Sequence, residues 1–179
     1  MAPSTVSPEM RKRLLVNRHG KMTSDQWKDM VTEPLVTLLL LFVPVLFVLG
    51  PRVVMMGRML WIGGFAVAIL LFVPVIFRAY RYARMPLHFA ELKAGDESPA
   101  AWKVWKAPIL YTKAGQMVRF NKRLAPYSLL RRDKQYLVYY LKDSRNNILL
   151  SIAPADHPDA KSWQPSTAFE ARFHQRGGK

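Results

Sequence analysis

Polar and hydrophobic positions divide this chain into a polar head, two apolar blocks and a long tail of short alternating runs. The blocks are Leu35–Gly50 and Met59–Phe77, and neither contains Asp, Glu, Lys or Arg. As helices they would be about 24 and 28 Å long at ~1.5 Å per residue, against a hydrocarbon core of ~30 Å. A buried hairpin in a water-exposed protein would carry polar residues at helical spacing, and these blocks lack them. The pattern therefore predicts a two-helix transmembrane hairpin over residues 34–84. Each block contains Leu-Phe-Val-Pro-Val, so Pro44 and Pro74 are expected helix kinks.

The head, residues 1–33, predicts an amphipathic segment lying at a membrane interface. Ser7 followed by Pro8 is a helix start, and Met10, Leu14 and Leu15 share a face opposite Arg11, Lys12 and Arg13. Gly20 ends that helix. Thr23 and Gln26 have capping-box spacing for a second helix, with Trp27, Met30 and Val31 at i, i+3 and i+4. Trp27, with Tyr80 and Tyr82 beyond the second block, fits an interfacial aromatic belt. Arg78, Arg81 and Arg84 follow that block, and basic residues also dominate the head. Their bias predicts a multi-pass integral membrane protein with both termini cytoplasmic.

Beyond the hairpin, residues 85–106 read as a linker with a short helix after Ser98-Pro99. Trp102 and Trp105 would rest on the interface or plug the following domain. Residues 107–155 alternate with the period of strands at Ile109–Thr112, Gln116–Lys122, Tyr127–Arg131, Gln135–Lys142 and Asn147–Ile152. In the fourth run Tyr136, Val138 and Tyr140 oppose Leu137, Tyr139 and Leu141, marking a central strand covered on both faces. The predicted class is thus α+β: a membrane hairpin followed by a small antiparallel, SH3-like or OB-like partly closed barrel. Residues 156–179 read as an extended or disordered tail.

Charge changes the picture more than composition does. The net charge is +15, and nine basic residues between Lys113 and Arg145 face only Asp133 and Asp143. Arg119, Lys122, Arg123, Arg131, Arg132 and Arg145, with Arg78, Arg81 and Arg84, form the expected lipid- or partner-facing basic surface. Anionic headgroups and other membrane-protein subunits are the implied partners. Nucleic acid is disfavoured, because alternation assigns at least one set of the strand tyrosines to the core and the hairpin holds the domain at a lipid surface.

Catalytic chemistry finds little support. With no cysteine, disulfides and thiolate sites are excluded. There is no nucleophile elbow, phosphate-binding glycine loop or paired carboxylates. Asp156-His157-Pro158-Asp159 groups potential metal ligands, but its proline makes it a turn first. No catalytic, metal or cofactor-binding residue is therefore expected. The functional expectation is a non-catalytic membrane accessory or scaffolding subunit, its hairpin packed on other spans and its β domain docking partners or anionic lipid. The alternative is a homo-oligomeric channel or transporter component, or a membrane-surface sensor.

Overall fold

The computed structural model describes residues 6–30, 36, 40, 69, 72–73, 75–77, 79–95, 108–126, 130–143 and 146–177. They belong to two compact units, Met1–Gln26 with Met85–Lys179 and, separately, Trp27–Arg84. The first unit is discontinuous: it opens in the polar head, is interrupted by the apolar blocks, and resumes afterwards.

Its framework is six strands: β1 (Leu87–Ala94), β2 (Ile109–Tyr111), β3 (Met117–Arg119), β4 (Lys122–Arg123), β5 (Gln135–Asp143) and β6 (Asn146–Pro154). They form one sheet in the order β3-β2-β1-β5-β6-β4. All neighbours are antiparallel except β4, which runs parallel to β6 through Lys122↔Ile148 and Arg123↔Leu149. The two outermost strands are consecutive in sequence, with only Phe120 and Asn121 between them. Three Cα–Cα steps reach at most ~11 Å, so the sheet must curl until its edges approach. Asn147 ties them: its Nδ2 donates to the Arg119 carbonyl at 3.0 Å, and its own carbonyl accepts from the Asn121 N–H at 2.9 Å. The result is a curled half-barrel.

Two sequence expectations are corrected here. The sheet is mixed and six-stranded, not a five-stranded antiparallel barrel. Gln116–Lys122 breaks at Phe120, whose ring turns inward at 2% exposure, and supplies both edges in place of one strand. Leu130 and Arg131 are outside any strand, whereas β1 arises within the expected linker. The transmembrane hairpin is also overturned, and with it the multi-pass membrane placement and the cytoplasmic assignment of both termini. Among the described residues no helix is long and apolar enough to cross a membrane. Most of Leu35–Phe77 lies outside those residues. The longest unbroken described helical stretch beyond residue 30 in the second unit is 79–84, which carries Arg81 and Arg84 where a span needs ~20 apolar residues. Within that unit Val75 and Tyr82 are buried, while Ile76 and Phe77 are exposed.

In the first unit α1 (Pro8–Asn17) begins as its residues predict. Pro8 stands at the first turn and Ser7 Oγ accepts from the Met10 N–H at 3.2 Å. Gly20 ends the segment at φ +69°, where a Cβ would lie 3.3 Å from Arg172 Cδ. The apolar face of α1 packs on β6, with Met10 and Leu14 buried and Leu15 exposed. Arg13 is buried too, donating to the Leu124 carbonyl and pairing with Glu9 at 2.7 Å.

The core lies along β5 and β6, where Leu137, Val138, Tyr139, Leu141, Leu149, Leu150 and Ile152 are all buried. Each strand is covered on both faces, β6 by α1 on one of them. The β5–β6 register slips between Tyr139↔Ser151 and Tyr140↔Leu149, leaving Leu150 as an extra residue. Its carbonyl accepts instead from Gln26 Nε2 at 2.9 Å. Gln26 also closes the capping box, accepting from the Thr23 N–H at 3.0 Å while its own N–H donates to Thr23 Oγ1 at 3.3 Å.

Beyond β6 the chain forms helical turns in place of the expected extended or disordered tail. A 3₁₀ turn (Ala160–Trp163) leads to α2 (Thr167–Gly177). Phe169 and Phe173, at i and i+4, give α2 an apolar stripe, and the Tyr139 hydroxyl donates to the Trp163 carbonyl at 2.6 Å. Ser166 joins this segment to the head through its N–H and Oγ, both donating to the Arg18 carbonyl at 3.0 and 2.9 Å. Replacing Tyr139 with Phe leaves that buried carbonyl unmatched. We expect a loss of about 1–2 kcal/mol, read from the urea midpoint of the β domain.

Candidate basic rim at the closure of the half-barrel

The edges of the sheet meet at Asn147, and cations gather there. β5 pairs Lys142 with Asn147, whose side chain holds the Arg119 carbonyl. Lys122 begins β4 three residues after Arg119. Arg119 and Lys142 are exposed, Lys122 is half-buried, and exposed Asn121 and Asn146 alternate with them. Among the described residues neither Arg119 nor Lys142 forms an ion pair. Elsewhere in the unit three lysines have carboxylates: Lys113 with Glu91 at 2.6 Å, Lys93 with Asp133 at 2.9 Å, and Lys134 with Asp156. Lys93 holds the Asp133 carboxyl below its ordinary range by hydrogen bond and charge, and Lys134 does the same for Asp156. Asp133 occupies the left-handed region at φ 61°, in the turn that starts β5.

This geometry separates residues that the sequence groups as one basic surface. Arg119 and Lys122 come together at the rim. Arg123 turns back on its own loop, donating to the carbonyls of Ala125 at 3.1 Å and Pro126 at 2.7 Å. Arg131 and Arg132 lie before the other end of β5, and Gln135 to Lys142 alone spans about 23 Å at ~3.3 Å per residue. Arg81 and Arg84 belong to the second unit, where the Arg84 guanidinium sits 4.0 Å over the Tyr80 ring. Tyr82 there is buried rather than displayed in an aromatic belt, and Trp27 is half-buried. Arg78, Arg145, Trp102, Trp105, Pro44 and Pro74 lie outside the described residues.

Sequence reasoning counts Lys142 among the basic residues but does not single it out, and it passes over Asn121 and Asn147. Their common position depends on the closure of the sheet, which leaves no local pattern. The rim's aromatic neighbours face inward: Phe120 is buried against Tyr140 with centroids 5.7 Å apart, and burial raises the Tyr140 pKa. The Asp156–Asp159 segment is a tethered turn. Asp159 pairs with Arg11 at 3.6 Å, and its N–H donates to His157 Nδ1 at 3.1 Å beneath Trp163. Among the described residues no group of three His, Asp or Glu side chains converges to hold a metal. No known protein family, curated protein or solved structure matches this chain.

Proposed function

We propose that this protein is a non-catalytic docking module whose basic rim holds an acidic segment of a partner protein. The observation that carries the reading is that Arg119 and Lys142, both exposed and both joined to Asn147, form no ion pair among the described residues, whereas Lys93, Lys113 and Lys134 each have a carboxylate. A carboxylate-bearing chain supplies the missing charge, and the amides of Asn121 and Asn146 can meet its backbone. Among the described residues the aromatic rings next to the rim, Phe120 and Tyr140, pack against each other, which disfavours single-stranded nucleic acid.

A fluorescent oligoglutamate peptide titrated with the full-length protein tests this by anisotropy. Replacing both Arg119 and Lys142 with Ala should weaken binding about 5- to 30-fold, from about 1–2 kcal/mol for two exposed charge contacts. The loss should shrink as salt rises. Arg131→Ala with Arg132→Ala should leave affinity nearly unchanged. Equal loss from that second pair would reduce the rim to diffuse charge. Tighter capture of anionic phospholipid vesicles or oligothymidine, abolished by the rim substitutions, would reassign the partner.

A further inference from the structure

His88 lies on β1 at the meeting of the sheet and α2. Its ring stacks on Tyr140 of β5 at 5.4 Å and 27°, and packs against Phe173 of α2 in a T-shaped pair at 5.1 Å and 84°. The imidazole is half-buried. From β5 it faces Tyr140 and the charge of Lys142; from α2 it faces Phe173, flanked in sequence by Arg172 and His174. Among the described residues no ion pair reaches it. Burial, and then the Lys142 charge, lower its pKa from the ordinary 6.5.

The first turn of α2 is fastened by Ser166 to Arg18 and by Phe169 against Tyr139, centroids 5.8 Å apart. Its second half meets the sheet's aromatic residues through Phe173 on His88. We propose that His88 is a proton-operated clasp: the neutral ring holds Phe173 and the second half of α2 on the sheet, and the protonated ring releases them. An imidazolium needs water that Phe173 excludes, and lifting α2 admits it. Its attraction to Tyr140 does not oppose release, because Tyr140 stays beside His88 on the sheet in both states.

The sign follows from the lowered pKa. The open state binds a proton below about 6.5, and the closed state only at lower pH. The clasp is therefore at full strength above 6.5 and weakens as pH falls from there toward the closed-state value. Opening should rise by up to about tenfold per pH unit across that window, since one proton is taken up.

Hydrogen exchange of the full-length protein between pH 7.5 and 5.5, corrected for chemical exchange, tests the clasp. Protection of α2 amides after Glu170 should fall with pH while β5 amides stay protected. His88→Gln should remove the pH dependence, as should His88→Phe. Lys142→Met removes a charge that lowers the closed-state pKa, so it should narrow the window from its acid side and reduce the loss of α2 protection. Flat α2 protection in the wild type would overturn the proposal, as would an unaltered pH response in His88→Gln or loss of protection by β5 in parallel.

Discussion

Replacing Trp163 with Ala should cost the β domain about 3–5 kcal/mol, the range for a large buried aromatic. Trp163 is 2% exposed, its ring lies 4.6 Å from that of His157, and its carbonyl accepts the Tyr139 hydroxyl. Alanine keeps the carbonyl, so what disappears is the buried ring packed on His157. With a slope of about 1–3 kcal/mol/M, the urea midpoint should fall by at least about 1 M. Trp163→Phe should recover most of it. A loss under about 1 kcal/mol would mean that the segment after β6 is a decoration rather than part of the core.

Gln26→Leu should be nearly as damaging, at about 2–4 kcal/mol, although leucine matches the side chain in size. Gln26 is fully buried and answers two backbone groups at once, the Thr23 N–H and the bulge carbonyl of Leu150. Leucine leaves both unmatched away from water, at about 1–3 kcal/mol each. The change sits beside the apolar blocks, yet it should be read in the β sheet, as a lower urea midpoint by near-ultraviolet circular dichroism. Gln26→Glu separates the two bonds, keeping an acceptor for Thr23 while turning a carboxylate toward the Leu150 carbonyl. It should destabilise more at pH 8 than at pH 4. An unchanged midpoint in Gln26→Leu would remove the head from the fold of the sheet.

Local chemistry was the readable part of this chain. The Ser7–Pro8 start, the Thr23–Gln26 box and the doubly covered β5 each rest on residues within one turn or one strand. What failed depended on distant partners. Leu87–Ala94 contains Ala, Glu, Leu and Lys, which favour helix, and becomes β1 only because β5 offers seven paired positions. Two-residue β4 has no periodicity to detect, and its parallel pairing follows from curling. Phe169 and Phe173 after Ser166 did carry a helix signal, which the neighbouring prolines obscured. The rim has the same origin as β4: Arg119 and Lys142 are 23 positions apart and meet only through Asn147. The apolar blocks show the reverse error, in which an undisturbed hydrophobic run is taken alone as sufficient for a membrane span.

The division of the β domain around residues 27–84 has a consequence for biosynthesis. Gln26 is separated from its partner Leu150 by 124 residues. At ribosomal speeds of about 5–20 residues per second, roughly 6–25 s pass between the two emerging. Throughout that wait Met10 and Leu14 have no β6 to cover them, and a nascent chain with sticky helices invites chaperones. Slowing translation should therefore raise the fraction lost to aggregation, whereas a circular permutant beginning at Met85 would bring α1 out after the strands, onto a waiting sheet.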